Sequence, residues 1–205
     1  MTRLAMLVRE PVVGRVKTRL AADLGPERAC AIHVELTERC LRNLHPAGLQ
    51  TQLWIAGDAE APSIEPWCTW CDAVLHQPEG DLGERLEAVF RWDSNPTIAV
   101  GSDCPELGAA HLLEVRETLA QGGVDAVICA AEDGGFVLLG LRAWRPGIFS
   151  GIEWGSPSVL NRLTANMLNL GVRYRLLGEF YDIDTLADWS RWCDSQAAET
   201  ALKSQ

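Results

Sequence analysis

The chain has 205 residues, 47% hydrophobic and 22% charged, a balance that excludes a disordered or fibrous protein and a length suited to one α/β domain. A formal net charge of -10 sets the overall field against nucleic acid phosphates and anionic membranes, so neither is an expected partner. No apolar run approaches the roughly 20 residues that cross a bilayer, and "MTRLAMLVREP" is too short and too soon interrupted to be a secretion signal, which makes the cytoplasm the expected location.

"LAMLV" at 4–8 is a continuous apolar run between Arg3 and Arg9, as in a central parallel strand buried on both faces. "KTRLAADLG" and "PERACAIHVELTERCLRNL" read as helices, with Gly25 as a stop and Pro26 as the first position of the second. "TQLWIA" is the next strand. "WCTWC" holds Cys68 and Cys71 at the C-x-x-C spacing of a zinc half-site or redox pair, but there is no second pair and His76 is the only nearby imidazole. The reading adopted is two thiols on a helix beside Trp67 and Trp70. Seven cysteines without framework spacing fit a reducing compartment.

"DAVLH" reads as a strand, and "DLGERLEAVFRW" as a helix whose apolar face is Leu82, Leu86, Val89 and Phe90. "TIAVGSDCP" is a strand and its exit. A helix follows from Ala109 to Gln121, then the strand "VDAVICA" and the apolar stretch "GFVLLGL". Val159, Leu160, Leu163 and Met167 share a helix face, "VRYRLL" reads as a strand, and "LADWSRW" as a helix. Strands alternating with helices predict βαβ units, a mostly parallel sheet in three layers, and ligands at the strands' carboxyl ends. One domain over 1–205 is expected, with roughly the last ten residues, "AAETALKSQ", frayed.

Two features point to chemistry. Residues 1–19 carry five cations, Arg3, Arg9, Arg15, Lys17 and Arg19, against one acid, Glu10, and Lys17 is one of two lysines in the chain. A strand, a loop with Pro11 and Gly14, and a helix starting near Lys17 would present cations and free N–H groups to a polyphosphate. The spacing matches neither the Walker pattern nor G-x-G-x-x-G, and helix-start arginines paired with surface acids are the alternative. The second feature is acidic. Asp103 follows a strand beside Gly101 and Ser102, and Asp182 and Asp184 follow another, so that two carboxylates distant in sequence would converge on one hard cation such as Mg²⁺. Helix capping by Asp184 or Thr185 is the alternative there. Asp133, before Gly134 and Gly135, lies at a third strand end, in a backbone-exposing turn or simply a tight one.

"PVVGRVKTRL", "QPEGDLGERL", "GSDCPEL", "DGGFVLLGL", "WGSPSVL" and "DIDTLADW", in this order, resemble a small bacterial family of the nucleotide-diphospho-sugar transferase superfamily, the arsenosugar-biosynthesis glycosyltransferase-like proteins, similar in turn to 2-phospholactate guanylyltransferases. The resemblance spans about residues 3 to 190. It implies a three-layer αβα, Rossmann-like GT-A type fold with a mostly parallel mixed sheet, and a divalent metal, Mg²⁺ or Mn²⁺. It places Gly14, Arg15, Lys17 and Arg19 on the nucleotide's phosphates, Gln77 and Gly83 near its base with Ser102 beside it, and Asp103 and Asp184 on the metal. Asp133, Gly134, Gly135, Trp154 and Gly155 would face the sugar or acceptor. Phe136 stands where relatives carry tyrosine and Ser156 where they carry threonine. His33 and His111 are expected on helices, at the surface or in the core.

Glycosyl transfer from a nucleoside diphosphate sugar and nucleotidyl transfer from a triphosphate would use the same cradle. The second carboxylate of a D-x-D pair would fall at Pro105, so Asp103 stands alone, as in nucleotidyltransferases. The reading adopted is nucleotidyl transfer from an NTP onto a phosphorylated small molecule, with Lys17, Arg19 and Asp103 catalytic. Glycosyl transfer, and a non-catalytic nucleotide-binding or partner protein, are the alternatives.

Overall fold

The run at 4–8 is strand β1, Arg3–Arg9, and its burial explains its composition. Leu4, Met6 and Val8 face one hydrophobic cluster and Ala5 the other, so between Arg3 and Arg9 the strand has no position free to be polar. The computed structural model describes the backbone of residues 1–203 and the side chains through Ala198.

Seven strands form one sheet: β1, β2 (Gln50–Ala56), β3 (Ala73–His76), β4 (Thr97–Val100), β5 (Ala126–Ala131), β6 (Phe136–Leu141) and β7 (Tyr174–Phe180), in the order β3-β2-β1-β4-β6-β5-β7. Four strand pairs are parallel. β6 runs antiparallel to both β4 and β5, because the turn at 132–135 is far too short for a crossover. The apolar stretch "GFVLLGL" is therefore the strand that makes the sheet mixed.

Helices α1 (Thr18–Leu24) and α2 (Pro26–Leu44) meet at Gly25, whose φ of 82° ends one helix and leads into Pro26, first residue of the next. α3 (Leu82–Arg91) starts in a capping box between Asp81 and Glu84. α4 (Ala109–Ala120), α5 (Val159–Asn169) and α6 (Leu186–Lys203) complete the set. α2 and α4 cover one face of the sheet, and α3 and α5 the other. Leu20, Ile32, Leu36, Ile183 and Trp192 join α1, α2 and α6 in a third cluster. The backbone stays helical through Lys203; Ser204 and Gln205, and the side chains from Glu199, lie outside the described residues, and so does the expected fraying.

Several expectations need correction. Leu82 is 43% exposed, so the inner face of α3 begins at Leu86. Cys68 lies on a 3-10 helix, Pro62–Trp70, and Cys71 just past its end; all seven cysteines are free thiols. Arg3 is buried and pairs with Asp93, Thr97 and the Val89 carbonyl. It stands at the amino end of β1, roughly 20 Å along the strand from Arg9, and takes no part in the charge of the loop.

β1 and β4 are neighbours from which the chain proceeds in opposite directions across the sheet. Such a switch point opens a crevice at the strands' carboxyl ends. Close packing supports it from behind: a β-carbon on Gly140 of β6 would meet Val115 Cγ1 at 2.7 Å and Leu119 Cδ1 at 3.3 Å, both on α4. Gly140→Ala should lower stability by about 1–3 kcal/mol through overpacking, read as a lower urea midpoint with unchanged slope. An unchanged midpoint would mean that this contact is loose.

Candidate active site at the strand ends

Lys17 joins the first loop to α1 in a left-handed backbone conformation, φ 48° and ψ 46°, alone among the described non-glycine residues in having positive φ. That conformation costs on the order of 1 kcal/mol or more and persists only where the surroundings over-determine it. Here three oxygens do so. Nζ donates to the Ile183 carbonyl at 2.5 Å and to Asp184 Oδ1 at 2.9 Å, and lies 2.6 Å from Asp103 Oδ1. An ammonium has three N–H groups, so it is saturated. The Lys17 side chain is 4% exposed, against 40% for Asp103 and 39% for Asp184. Burial acts to lower the Lys17 pKa, but the attraction of Asp103 and Asp184 outweighs it and the net shift is upward. Burial likewise acts to raise Asp103, and Lys17 holds it below the usual carboxylate range.

Asp184 is available because Thr185 does the capping. The Asp188 carboxylate accepts from the Thr185 N–H at 2.7 Å and from its hydroxyl at 2.7 Å, a reciprocal turn at the start of α6. The Ile183 N–H donates to the Asp103 carbonyl at 2.9 Å, which stitches the exits of β4 and β7 together. Asp182 completes the acidic side. Burial, then the like charges of Asp184, Asp133 and Asp103, push its carboxyl up to about 6.

These groups face a cavity of about 470 Å³. Arg9, Arg19 and Arg85 line the same cavity. Arg19 lies 3.7 Å from Asp184 and is 70% exposed, a contact of little energy. Among the described residues, Arg9, Arg15 and Arg85 have no carboxylate within 4 Å, so pairing with surface acids does not account for them. α1 is two turns long, and the positive field therefore comes from side chains more than from a helix end.

The cavity wall includes Lys17, Arg19, Gln77, Ser102, Asp103, Asp133, Gly135, Trp154, Gly155 and Asp184, as expected, but not Gly14, Arg15, Gly83 or Gly134. Arg15 lines an adjoining depression of about 410 Å³, which shares Arg9, Gln77 and Arg85 with the first. Gly14 is exposed in the loop at φ 79°. Gly83 makes room for an aromatic ring: a β-carbon there would lie 2.9 Å from Trp154 Nε1. Gly134 is fixed by packing, since its β-carbon would sit 2.2 Å from the Pro157 carbonyl. Gln77 lines the wall with its amide already engaged. Its amide donates to the Val8 and Trp54 carbonyls at 3.1 and 2.7 Å, and its oxygen accepts from Arg85 at 3.4 Å, so it braces the wall between the two depressions instead of offering its N–H groups to a base. Asp133 does both things anticipated of it, accepting from Gly135 N–H at 2.8 Å in the β5–β6 turn while lining the cavity.

Arg9 belongs to the cationic stretch already singled out, whereas Arg85 and His33 line the cavity without having been assigned to the site from sequence. His33 falls at i, i+3, i+4, i+7 with Leu36, Thr37 and Cys40 on the inner face of α2, a usable signal. It is 3% exposed, and its Nε2 lies 2.9 Å from the Arg9 carbonyl. A carbonyl only accepts, so Nε2 carries the proton; burial lowers the pKa, partly offset by that bond. His111 is half-buried and accepts from the Gly108 N–H.

Residues 41–156 match the family described as "uncharacterized protein conserved in bacteria (DUF2064)". The chain belongs to this family. A solved structure from Desulfovibrio desulfuricans G20, described as a proposed nucleotide-diphospho-sugar transferase, is 27% identical with a TM-score of 0.81, over 92% of this chain and 84% of that one. CMP:2-keto-3-deoxy-manno-octonic acid synthetase complexed with CTP is similar at 12% identity and TM-score 0.60, over 97% and 99% of the two chains. Glucosyl-3-phosphoglycerate synthase from Mycobacterium tuberculosis, in complex with Mn²⁺, UDP and phosphoglyceric acid, is similar at 11% and 0.56, over 99% and 78%. At those identities the last two show a shared fold, that of nucleotidyl and glycosyl transferases. No curated protein matches the chain in sequence.

Among the described residues no three His, Cys, Asp or Glu side chains are grouped to hold a metal ion unaided. Asp103 and Asp184 nevertheless supply hard oxygens side by side, and Mg²⁺ characteristically takes one or two carboxylates and completes its shell with phosphate and water. The donor set fits an ion that brings phosphate with it.

The strain at Lys17 is measurable. Lys17→Ala and Lys17→Gly both remove the ammonium, but only glycine adopts the left-handed conformation freely, so the glycine variant should be the more stable by about 1 kcal/mol in urea unfolding. An alanine variant of equal or greater stability would show that position 17 is unstrained.

Proposed function

We propose that the protein is a metal-dependent transferase of the nucleotide-diphospho-sugar transferase type, and that it moves a nucleotidyl group from a nucleoside triphosphate to a small-molecule acceptor. One observation carries the reading: a single cavity brings three arginines, Arg9, Arg19 and Arg85, together with the carboxylates Asp103, Asp133, Asp182 and Asp184. A triphosphate held by the arginines would meet the carboxylates through a divalent ion, Mg²⁺ or Mn²⁺, on Asp103 and Asp184. When bound, such an ion supplies neutralisation of phosphate charge.

In this reading Arg9 and Arg85 orient the phosphates, and Lys17 and Arg19 meet the negative charge that develops on the departing pyrophosphate as an acceptor oxygen bonds to the α-phosphorus. No protein nucleophile is required. Trp154 also lines the cavity and offers an apolar surface for the uncharged part of the acceptor.

Glycosyl transfer is the second reading. It is favoured by Trp154, held edge-on to Phe136 at 6.4 Å beside Asp133, a surface suited to a sugar ring. The absence of a second carboxylate at Pro105 weighs against it.

Thermal shift with each NTP and each NDP-sugar, with and without Mg²⁺ or Mn²⁺, separates the readings, since a ligand at a hundred times its Kd adds about 2.7 kcal/mol to stability. The reading predicts a metal-linked shift largest with one NTP, and its loss in Asp103→Asn with the fold retained. A larger shift with an NDP-sugar supports glycosyl transfer. A shift that ignores metal supports a non-catalytic nucleotide-binding protein, and an unchanged shift in Asp103→Asn removes that residue from the site.

A further inference from the structure

The point where Asp103 and Asp184 approach each other is already held by a cation. Lys17 Nζ lies 2.6 Å from Asp103 Oδ1, 2.9 Å from Asp184 Oδ1 and 2.5 Å from the Ile183 carbonyl, three oxygens around a single nitrogen at the junction of β4 and β7. This is the arrangement an oxygen-ligated ion would need, and an ammonium and a divalent ion cannot share it, because like charges at that separation repel strongly. The protein alone also offers too few ligands to displace the ammonium, as no third carboxylate, histidine or cysteine joins the pair closely enough among the described residues.

We propose that Lys17 occupies the divalent ion's seat in the nucleotide-free protein, so that metal enters only with nucleotide, whose phosphates draw the ammonium off the carboxylates. The inference rests on the nucleotide-transferase reading and adds an order of binding to it. Phosphate oxygens entering beside Arg9 and Arg19 give the three N–H groups of Lys17 other acceptors, since all three residues line one cavity. The left-handed backbone at Lys17 makes this exchange easier, because the strain is maintained by the contacts that are given up. Until then the ammonium holds Asp103 and Asp184 together, and free metal is excluded from a half-built site.

The test uses Mn²⁺ alone, titrated into the wild type, Lys17→Met and Lys17→Gln and followed by the loss of the free-ion electron paramagnetic resonance signal, with urea unfolding to show that each variant is folded. Two variants are used because methionine and glutamine differ in how they fit the vacated space. The proposal predicts that at least one folded variant binds Mn²⁺ without nucleotide at least tenfold more tightly than wild type, that adding Asp103→Asn to it abolishes the gain, and that nucleoside triphosphate raises the Mn²⁺ affinity of wild type more than that of the variant. Nucleotide-free affinities that are equal, tighter in wild type, or undetectable in all three proteins overturn it. Failure of the underlying reading looks different: the variants still gain Mn²⁺ affinity, but no nucleotide or NDP-sugar changes the affinity of wild type.

Discussion

One ammonium group ties together parts of the chain that are otherwise separate. Lys17 belongs to the loop after β1, Asp103 to the exit of β4, and Ile183 and Asp184 to the exit of β7, and a single nitrogen bonds to all of them. A buried charge of this kind is retained only with its partners; removing one partner typically costs several kcal/mol because the others are left uncompensated. Here the two carboxylates are partly open to solvent, which reduces that cost while leaving them accessible from the cavity. The same contact therefore sets the shape of the strand ends and the chemistry they offer.

The sheet explains why these residues meet. Parallel strands bring their carboxyl ends to one edge, and β1 and β4 flank the switch point where a crevice opens. β5 runs the same way as β1 and so delivers Asp133 to that edge at its exit, and β6, running the other way, starts there beside Gly135. The result is a cavity lined both by cations from β1, α1 and α3 and by carboxylates from the exits of β4, β5 and β7. An acidic protein thus keeps a local cationic surface, whose field the low-dielectric walls of the cavity focus on a bound ligand.

Much of this was legible from periodicity. Continuous apolar runs marked β1 and β5, helical spacing marked α3 and α5, and Gly25-Pro26 marked the break between α1 and α2, because each pattern follows from the burial geometry of its element. The acidic strand ends were legible too, since a carboxylate just past a strand has few places to go. What sequence did not carry was mostly three-dimensional bookkeeping of charge. Arg3 and Arg9 are six residues apart yet stand at opposite ends of a strand, and only Arg9 reaches the cavity. Nothing in "RVKTRL" announces a left-handed lysine, a conformation usually left to glycine or asparagine; it arises from partners more than eighty residues away. Gly83 and Gly134 resembled ligand-approach glycines, whereas each makes room for a neighbouring loop.

The central claim is that Asp103, Asp184 and the arginines lining the same cavity act as one site for a metal-bound nucleotide. It is tested most directly by a crystal structure with Mn²⁺ and the nucleoside triphosphate that stabilises the protein most, collected at a wavelength where manganese scatters anomalously. The account predicts an anomalous peak on Asp103 and Asp184, phosphates against Arg9 and Arg19, and Lys17 moved from the carboxylates to the phosphates. A nucleotide bound elsewhere, or one bound in this cavity with no peak at the carboxylates and Lys17 still between them, would contradict it.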